Sequence, residues 1–178
     1  VMGRVFGYLG NVDGEVVFGR RGRDDVVGAS ASLPVGGAEL HGEAAVFLLP
    51  EPLPGNDASL GRNDLVAKAV VGGSYTLNVG SGLYLVGEYH YSGFGAADIE
   101  DASALATIPG YAERYARGDF IILGRHACGA QVTYGLSGTS SFGVAWTVSP
   151  VDGSGVVIPP WTWLFSDSVT LEARGDGG

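Results

Sequence analysis

The sequence predicts an all-β chain: an antiparallel up-and-down transmembrane β-barrel of about ten strands, complete or part of a larger barrel. Three observations predict this fold. Apolar and polar residues alternate with a period of two, many alternating segments are longer than globular strands, and the connections sort by length. The whole chain, residues 1–178, is accordingly expected to be a single β-barrel domain or a barrel fragment.

Composition favours a membrane-associated sheet. Charged residues make up 16% of the chain and hydrophobic residues 46%, whereas soluble domains have about 25% charged residues. Gly occurs 31 times, and glycines within strands are useful where a sheet must curve. The net charge of −9 argues against nucleic acid as a partner, because phosphate binding needs a basic surface. No apolar run approaches the length of a transmembrane helix.

The alternation is clearest between Asp64 and Leu77. One face carries only uncharged residues: Leu65, Ala67, Ala69, Val71, Gly73, Tyr75 and Leu77. The other face is mixed and partly polar: Val66, Lys68, Val70, Gly72, Ser74 and Thr76. The same reasoning predicts strands at 2–9, 15–21, 25–35, 38–48, 64–77, 82–92, 118–136, 140–149, 155–166 and 168–174.

The connections between these strands alternate in length. The tight ones are predicted near Gly10–Gly14, Pro34–Gly37, Asn78–Ser81, Ser137–Thr139 and Phe165–Ser168, all at one end of the sheet. The connections 49–63 and 93–117 fall at the other end and are predicted to be external loops, the second with a short helix over Asp98–Ala106. Outer-membrane barrels have short periplasmic turns and long external loops.

Alternation alone does not separate a lipid-facing barrel from a soluble β-sandwich, which also alternates. Strand length, the asymmetry of the turns and an apolar face rich in Gly and Ala favour lipid, since a sandwich core prefers large interdigitating side chains. Aromatic residues near the predicted strand ends fit interfacial girdles: Tyr75, Tyr89, Tyr91, Tyr134, Trp161 and Trp163.

Two segments, Gly82–Gly95 and Ala38–Ala44, resemble strands of Gram-negative porin-like outer-membrane proteins. The resemblance is one of pattern and covers most of the chain. It implies a location in the bacterial outer membrane, contact with membrane lipid and passive diffusion of small polar solutes or ions; it also allows a homo-oligomer. Such barrels usually finish on a strand ending in an aromatic residue, whereas this chain ends Arg174–Gly178. That departure indicates either an internal piece of a barrel or a number of strands that differs from the ten predicted above.

The polar sides of the strands supply the candidate pore lining. The predicted lining residues are Glu39, His41, Glu43, Lys68, Ser74, Thr76, Glu88, His90 and Arg125. Lys68 lies on a strand between two acidic strands, where it would offset their repulsion. Arg125 shares its predicted face with Gln131 and Thr133. Charged and polar side chains of this kind set the ion or solute preference of a pore.

A metal site built from His41, His90 and carboxylates is the sharper alternative. Strands lie ~4.8 Å apart, so alternate strands are too distant for easy shared ligation, and neither metal nor cofactor is predicted. Catalytic motifs such as G-x-S-x-G, the P-loop and H-E-x-x-H are absent from the sequence, so an enzyme is not expected. Two rivals to a channel stay open: a soluble or surface-exposed β-sandwich or barrel acting as a binding or adhesion module, and a barrel without an open pore.

Overall fold

A computed structural model describes residues 1–52, 60–98, 100, 107, 109–119, 123–166 and 169–174. Its strands are β1 (Met2–Leu9), β2 (Val12–Arg21), β3 (Asp24–Val35), β4 (Ala38–Leu48), β5 (Leu65–Leu77), β6 (Leu83–Ser92), β7 (His126–Ser137), β8 (Ser140–Val148), β9 (Gly155–Ile158), β10 (Pro160–Ser166) and β11 (Val169–Arg174). The helix with described bounds, here α1, spans Pro109–Ala116.

The strands form one antiparallel sheet in which sequence neighbours are spatial neighbours. Its order is β1-β2-β3-β4-β5-β6-β7-β8-β10-β11, with β9 also paired to β8. The connections include two-residue turns such as Gly36–Gly37, where Gly36 has φ 62°. A residue with a side chain rarely adopts that value, so glycine makes the turn possible. The prediction of an all-β, up-and-down antiparallel fold is confirmed at this level.

Two predicted strands need correction. The segment 118–136 is not one strand, because β7 begins only at His126 and the described residues before it form connections. The segment 155–166 is interrupted at Pro159, which has no N–H for the ladder. Trp161 nevertheless continues the register of β9 against β8, so β9 and β10 are two parts of one interrupted strand. The helix predicted over Asp98–Ala106 lies almost wholly outside the described residues.

The pairing register gives the sheet two chemically distinct faces. The apolar face carries the odd-numbered residues of β1, β3, β5, β6, β9 and β10 and the even-numbered residues of β2, β4, β7 and β8. The polar face carries the alternate residues. On the described apolar face, the charged or histidine side chains are Arg20, Asp25 and His126. Arg20 and Asp25 pair with each other at 2.9 Å, at the end of their strands.

The connection between β6 and β7, residues 93–125, is here called the cross-segment, and its described part packs on the polar face. Phe94 meets Phe47 of β4 edge-on, with ring centroids 5.4 Å apart. The buried hydrophobic cluster lies between the cross-segment and the sheet: Val26, Phe47, Leu49, Val66, Phe94, Ala96 and Tyr111. The hydrophobic core therefore covers one end of the polar face, and the apolar face contributes nothing to this cluster.

The sheet is open. In the described part of the chain, β1 and β11 do not pair with each other, so the sheet is not closed into a barrel. The chain exposes 10843 Å², whereas a compact monomer of 18.3 kDa exposes about 8,100 Å². Helices long and apolar enough to span a membrane are absent from the described residues.

Short and long connections are only partly separated to opposite ends of the sheet in the way that the sequence predicted. The turns Gly36–Gly37 and Gly138–Thr139 lie at the end opposite the connection 49–64 and the cross-segment. The two-residue turn Gly22–Arg23, however, lies at the same end as the long connections. The length asymmetry is thus a tendency of this sheet and has one exception.

Candidate functional site

The polar face brings most of the predicted lining residues together. The register places the following side chains there: Glu39, His41, Glu43, Lys68, Ser74, Thr76, Glu88 and His90. Arg125 lies just before β7, inside the cross-segment, and its Nε donates to the carbonyl oxygen of Gly95 at 3.3 Å. The predicted strand position of Arg125 was therefore wrong, although the residue still borders the same face.

Glu88 of β6 joins two histidines into one group. Its Oε1 lies 3.2 Å from Nε2 of His41 on β4, and its Oε2 lies 2.9 Å from Nε2 of His90. His41 and Glu88 come from alternate strands, and the contact passes over Gly72 of β5, which pairs with both residues. Strand spacing was used above only to argue against shared metal ligation, and the His41–Glu88 contact shows that long side chains on alternate strands can still meet.

Gly72 explains why this contact is possible. A Cβ at position 72 would lie 2.7 Å from Nε2 of His41, from Cγ of Glu88 and from the carbonyl oxygen of Gly87. Any side chain would therefore push His41 and Glu88 apart. Glycine at this position clears the space in which the carboxylate reaches across a whole strand.

Two adjoining hollows of about 360 and 340 Å³ lie on the polar face over β1 to β5, and Glu15 and Glu43 line both. Arg4 of β1 pairs with Glu15 at 2.7 Å. Glu43 makes no ion pair among the described residues. The middle of the polar face is therefore open to solvent and predominantly acidic.

A buried ionic network anchors the cross-segment to this face, and we call it the anchor network. Nη1 and Nη2 of Arg114 in α1 donate hydrogen bonds to the two carboxylate oxygens of Asp24 in β3, at 2.8 and 3.0 Å. Nη1 of Arg114 also reaches Asp119 at 3.3 Å. Asp24, Arg114 and Asp119 are all buried, with Asp119 only 1% exposed. A carboxylate stays ionised in a buried position only when it is paired with a cation. Asp24 and Asp119 each pair with more than one arginine.

Two further arginines complete the anchor network. Arg117 lies 3.3 Å from Asp24 and 2.9 Å from Asp119. Arg21 of β2 lies 3.3 Å from Oδ1 of Asp119 and also donates to the carbonyl oxygen of Arg117 at 2.8 Å. A Cβ at Gly22 would lie 2.5 Å from Nη1 of Arg117, so glycine in that turn admits the guanidinium.

Lys68 connects the anchor network to the open part of the polar face. Its ammonium donates to the carbonyl oxygen of Asp119 and so lies beneath the cross-segment. Lys68 also lines the larger hollow beside Glu43. The predicted lining lysine thus lies at the boundary between the acidic hollow and the cationic end of the face.

Sequence reasoning missed Asp24, Arg114, Arg117 and Asp119 as members of a site. The available signal was Arg114 and Arg117 three residues apart, which places both on one side of a helix. It was missed because the helix of this connection was predicted over Asp98–Ala106, whereas the described helix lies at Pro109–Ala116. Among the described residues, no group of three or more His, Cys, Asp and Glu side chains is arranged to hold a metal ion.

Comparison of this chain with protein-family models, curated proteins and solved structures finds no match.

Proposed function

We propose that this chain forms the wall of a bacterial outer-membrane β-barrel, with the apolar face toward lipid and the polar face toward a water-filled lumen. The lumen would pass small polar solutes or ions by passive diffusion, as in porin-like channels. The observation that carries the proposal is the apolar face, which is large, almost free of charge and not covered by any other described part of the chain.

The exposure of this face supports lipid contact. In the middle of the sheet Val71 is 60% exposed and Val27 is 59% exposed. No second layer of the described chain covers them. Soluble monomers rarely leave contiguous apolar patches larger than a few hundred Å² in water. A hydrocarbon environment removes the cost of this exposure.

Aromatic side chains border the face in the manner of interfacial girdles. Near the short-turn end Tyr134, Phe142 and Trp161 are direct register partners on adjacent strands. Toward the other end Tyr89 donates to or accepts from Nδ1 of His126 at 2.6 Å. Strands β2 to β7 have 10 to 13 residues, and a tilted bilayer-crossing strand needs about 9–11.

The polar face supplies the features of a lumen. It carries the acidic hollows, the His41–Glu88–His90 group and the cross-segment, which narrows the space over one end of the sheet. Charged side chains at such a narrowing set ion preference. The described carboxylates of the hollows favour cations over anions in this part of the proposed lumen.

Closure is a requirement of the proposal. An unpaired strand edge in hydrocarbon costs several kcal/mol per unsatisfied group. In a bilayer β1 and β11 must therefore pair with each other or with further strands, of this chain or of another copy.

Site-directed labelling tests the proposal. Single cysteines placed at positions 69, 70, 71, 74, 75 and 76, in a Cys128→Ala background, carry a fluorophore in protein folded into phosphatidylcholine vesicles. We expect odd positions to be quenched by nitroxide lipids and even positions by iodide in water. The alternative of a soluble or surface-exposed binding module is favoured by the open edges of the sheet. It predicts no lipid quenching at any position, and that result would reject the membrane assignment.

Conductance then separates a channel from a closed barrel. Vesicle-folded protein transferred to a planar bilayer should give discrete current steps. Protein that shows the alternating quenching pattern but no current steps would retain the membrane assignment and lose the channel.

A further inference from the structure

The larger of the two hollows on the polar face carries side chains of both charges. It measures about 360 Å³, and the charged residues that line it in the described part of the chain are Glu15, Glu43 and Lys68. Glu15 is already paired with Arg4 at 2.7 Å. The two charges that this hollow offers to a ligand are therefore the carboxylate of Glu43 and the ammonium of Lys68.

Glu43 and Lys68 are close enough in the sheet to pair, but they do not pair. Glu43 of β4 lies opposite Val70 of β5, and Lys68 is two residues from Val70 on the same face. Diagonal neighbours of this kind lie about 7–8 Å apart, within reach of long side chains. The ammonium of Lys68 donates instead to the carbonyl oxygen of Asp119 in the cross-segment. The hollow therefore holds a carboxylate and an ammonium apart.

Small residues keep the space between these two charges open. Ala45 lies opposite Lys68 in the register, Gly28 lies opposite Ala45, and both small residues line the hollow. A Cβ at Gly28 would lie 3.3 Å from the Cβ of Ala45, so even a methyl group would crowd the floor. Ser30, which lies opposite Glu43, adds a hydroxyl group at the carboxylate end.

We propose that this hollow is a binding site for a small zwitterion of the free amino acid class. The carboxylate of the ligand accepts from the ammonium of Lys68, and the ammonium of the ligand donates to Glu43. An ammonium has three donors, so Lys68 binds the ligand and keeps its hydrogen bond to the cross-segment. Charge-assisted hydrogen bonds are the strong ones in proteins, and a solute with a single charge forms them at one end only.

The inference names a solute class for the proposed lumen, and it rests on the channel proposal for the passage of that solute. Binding itself requires only the folded polar face, so it is measured without a membrane current. The full chain, folded in detergent micelles, is titrated with glycine while the amide chemical shifts of β4 and β5 are followed. Acetate and methylammonium, which carry one charge each, are titrated at the same ionic strength. We expect saturable shifts with glycine and a dissociation constant at least about tenfold lower than for either single-charge ion.

Substitutions at the two ends of the hollow separate the two contacts. Lys68→Met and Glu43→Gln should each weaken glycine binding about tenfold. Lys68→Met should also remove the advantage of glycine over methylammonium, and Glu43→Gln its advantage over acetate. The matched control Glu39→Gln removes a carboxylate from the same face of β4 outside the hollow. At physiological ionic strength it should change glycine binding less than about twofold, because salt screens charges at that distance.

Ala45→Leu keeps both charges but fills the hollow, and it keeps the test decisive if Lys68→Met fails to fold. It should abolish glycine binding, and unchanged binding in this variant would overturn the proposal. Glycine that binds no more tightly than acetate and methylammonium would also overturn it, as would equal losses in Glu39→Gln and Glu43→Gln. None of these results alters the lipid quenching of β5, which tests the membrane assignment separately.

Discussion

Replacing Arg114 by Met should loosen the cross-segment from the polar face. Arg114 donates to both oxygens of Asp24, at 2.8 and 3.0 Å, and contacts Asp119 at 3.3 Å. Its guanidinium also lies 4.5 Å from the ring centroid of Phe94. Met retains an unbranched apolar stem for packing but removes the charge and every donor.

The expected loss follows from the partners that remain. Removing one member of a buried ion pair costs ~3–5 kcal/mol, because it leaves a buried charge uncompensated. Arg117 still reaches Asp24 and Asp119 in the variant, so we expect the lower end, about 3 kcal/mol. That corresponds to roughly a hundredfold larger population of the detached cross-segment.

Amide hydrogen exchange measures this detachment directly. Exchange of the α1 amides should accelerate about a hundredfold, while amides in the β5–β6 ladder keep their protection. Arg4→Met breaks a more exposed pair with Glu15 and should cost less than about 1 kcal/mol. The reasoning is refuted if Arg114→Met changes α1 exchange no more than Arg4→Met does, or accelerates the whole sheet equally.

Two further substitutions test the faces of the sheet. Gly72→Ala should destabilise the folded chain by ~1–3 kcal/mol through overpacking and should abolish the nuclear Overhauser contact between the His41 ring and the Glu88 side chain; an intact contact would contradict the role given to Gly72. Val71→Arg should make folding into vesicles less favourable by ~2–4 kcal/mol, the cost of arginine against lipid at the bilayer midplane. Its polar-face neighbour Val70→Arg should cost less than about 1 kcal/mol, and equal costs at the two positions would argue against a lipid-facing side.

The strand pattern was predictable because successive side chains of a strand point to opposite faces of the sheet, so odd and even positions separate by themselves. Once the strands of β3 to β6 are paired, the alternation decides which residues share a face, and the register confirmed that grouping for Lys68, Glu88 and His90. No long-range information is needed for this result, since adjacent strands are also consecutive in sequence.

The cross-segment was not predictable in the same way. The run Ile121–Leu123 is apolar and begins with two β-branched isoleucines, and such composition favours a strand in isolation. The conformation of the described residues on either side is set by tertiary contacts. Asp119 is buried and pairs with three arginines, and Gly95 lies close to the carbonyl group of Gly124. Neither contact has a local signature.

The His41–Glu88 contact shows a similar limit. Strand spacing gives the distance between backbones, whereas two long side chains leaning toward each other over a glycine can close most of it. The position of Gly72 in the sequence was visible, but its role depends on a register that only the folded sheet supplies.

The anchor network also sets an order for folding. Hairpins such as β3–β4 close over two residues, Gly36–Gly37, while Arg114 and Asp24 are 90 residues apart in sequence. The entropic cost of closing a loop grows with its length, so the hairpins should form first and the long-range ion pairs last. Substitutions in the anchor network should then accelerate unfolding and leave the rate of folding nearly unchanged.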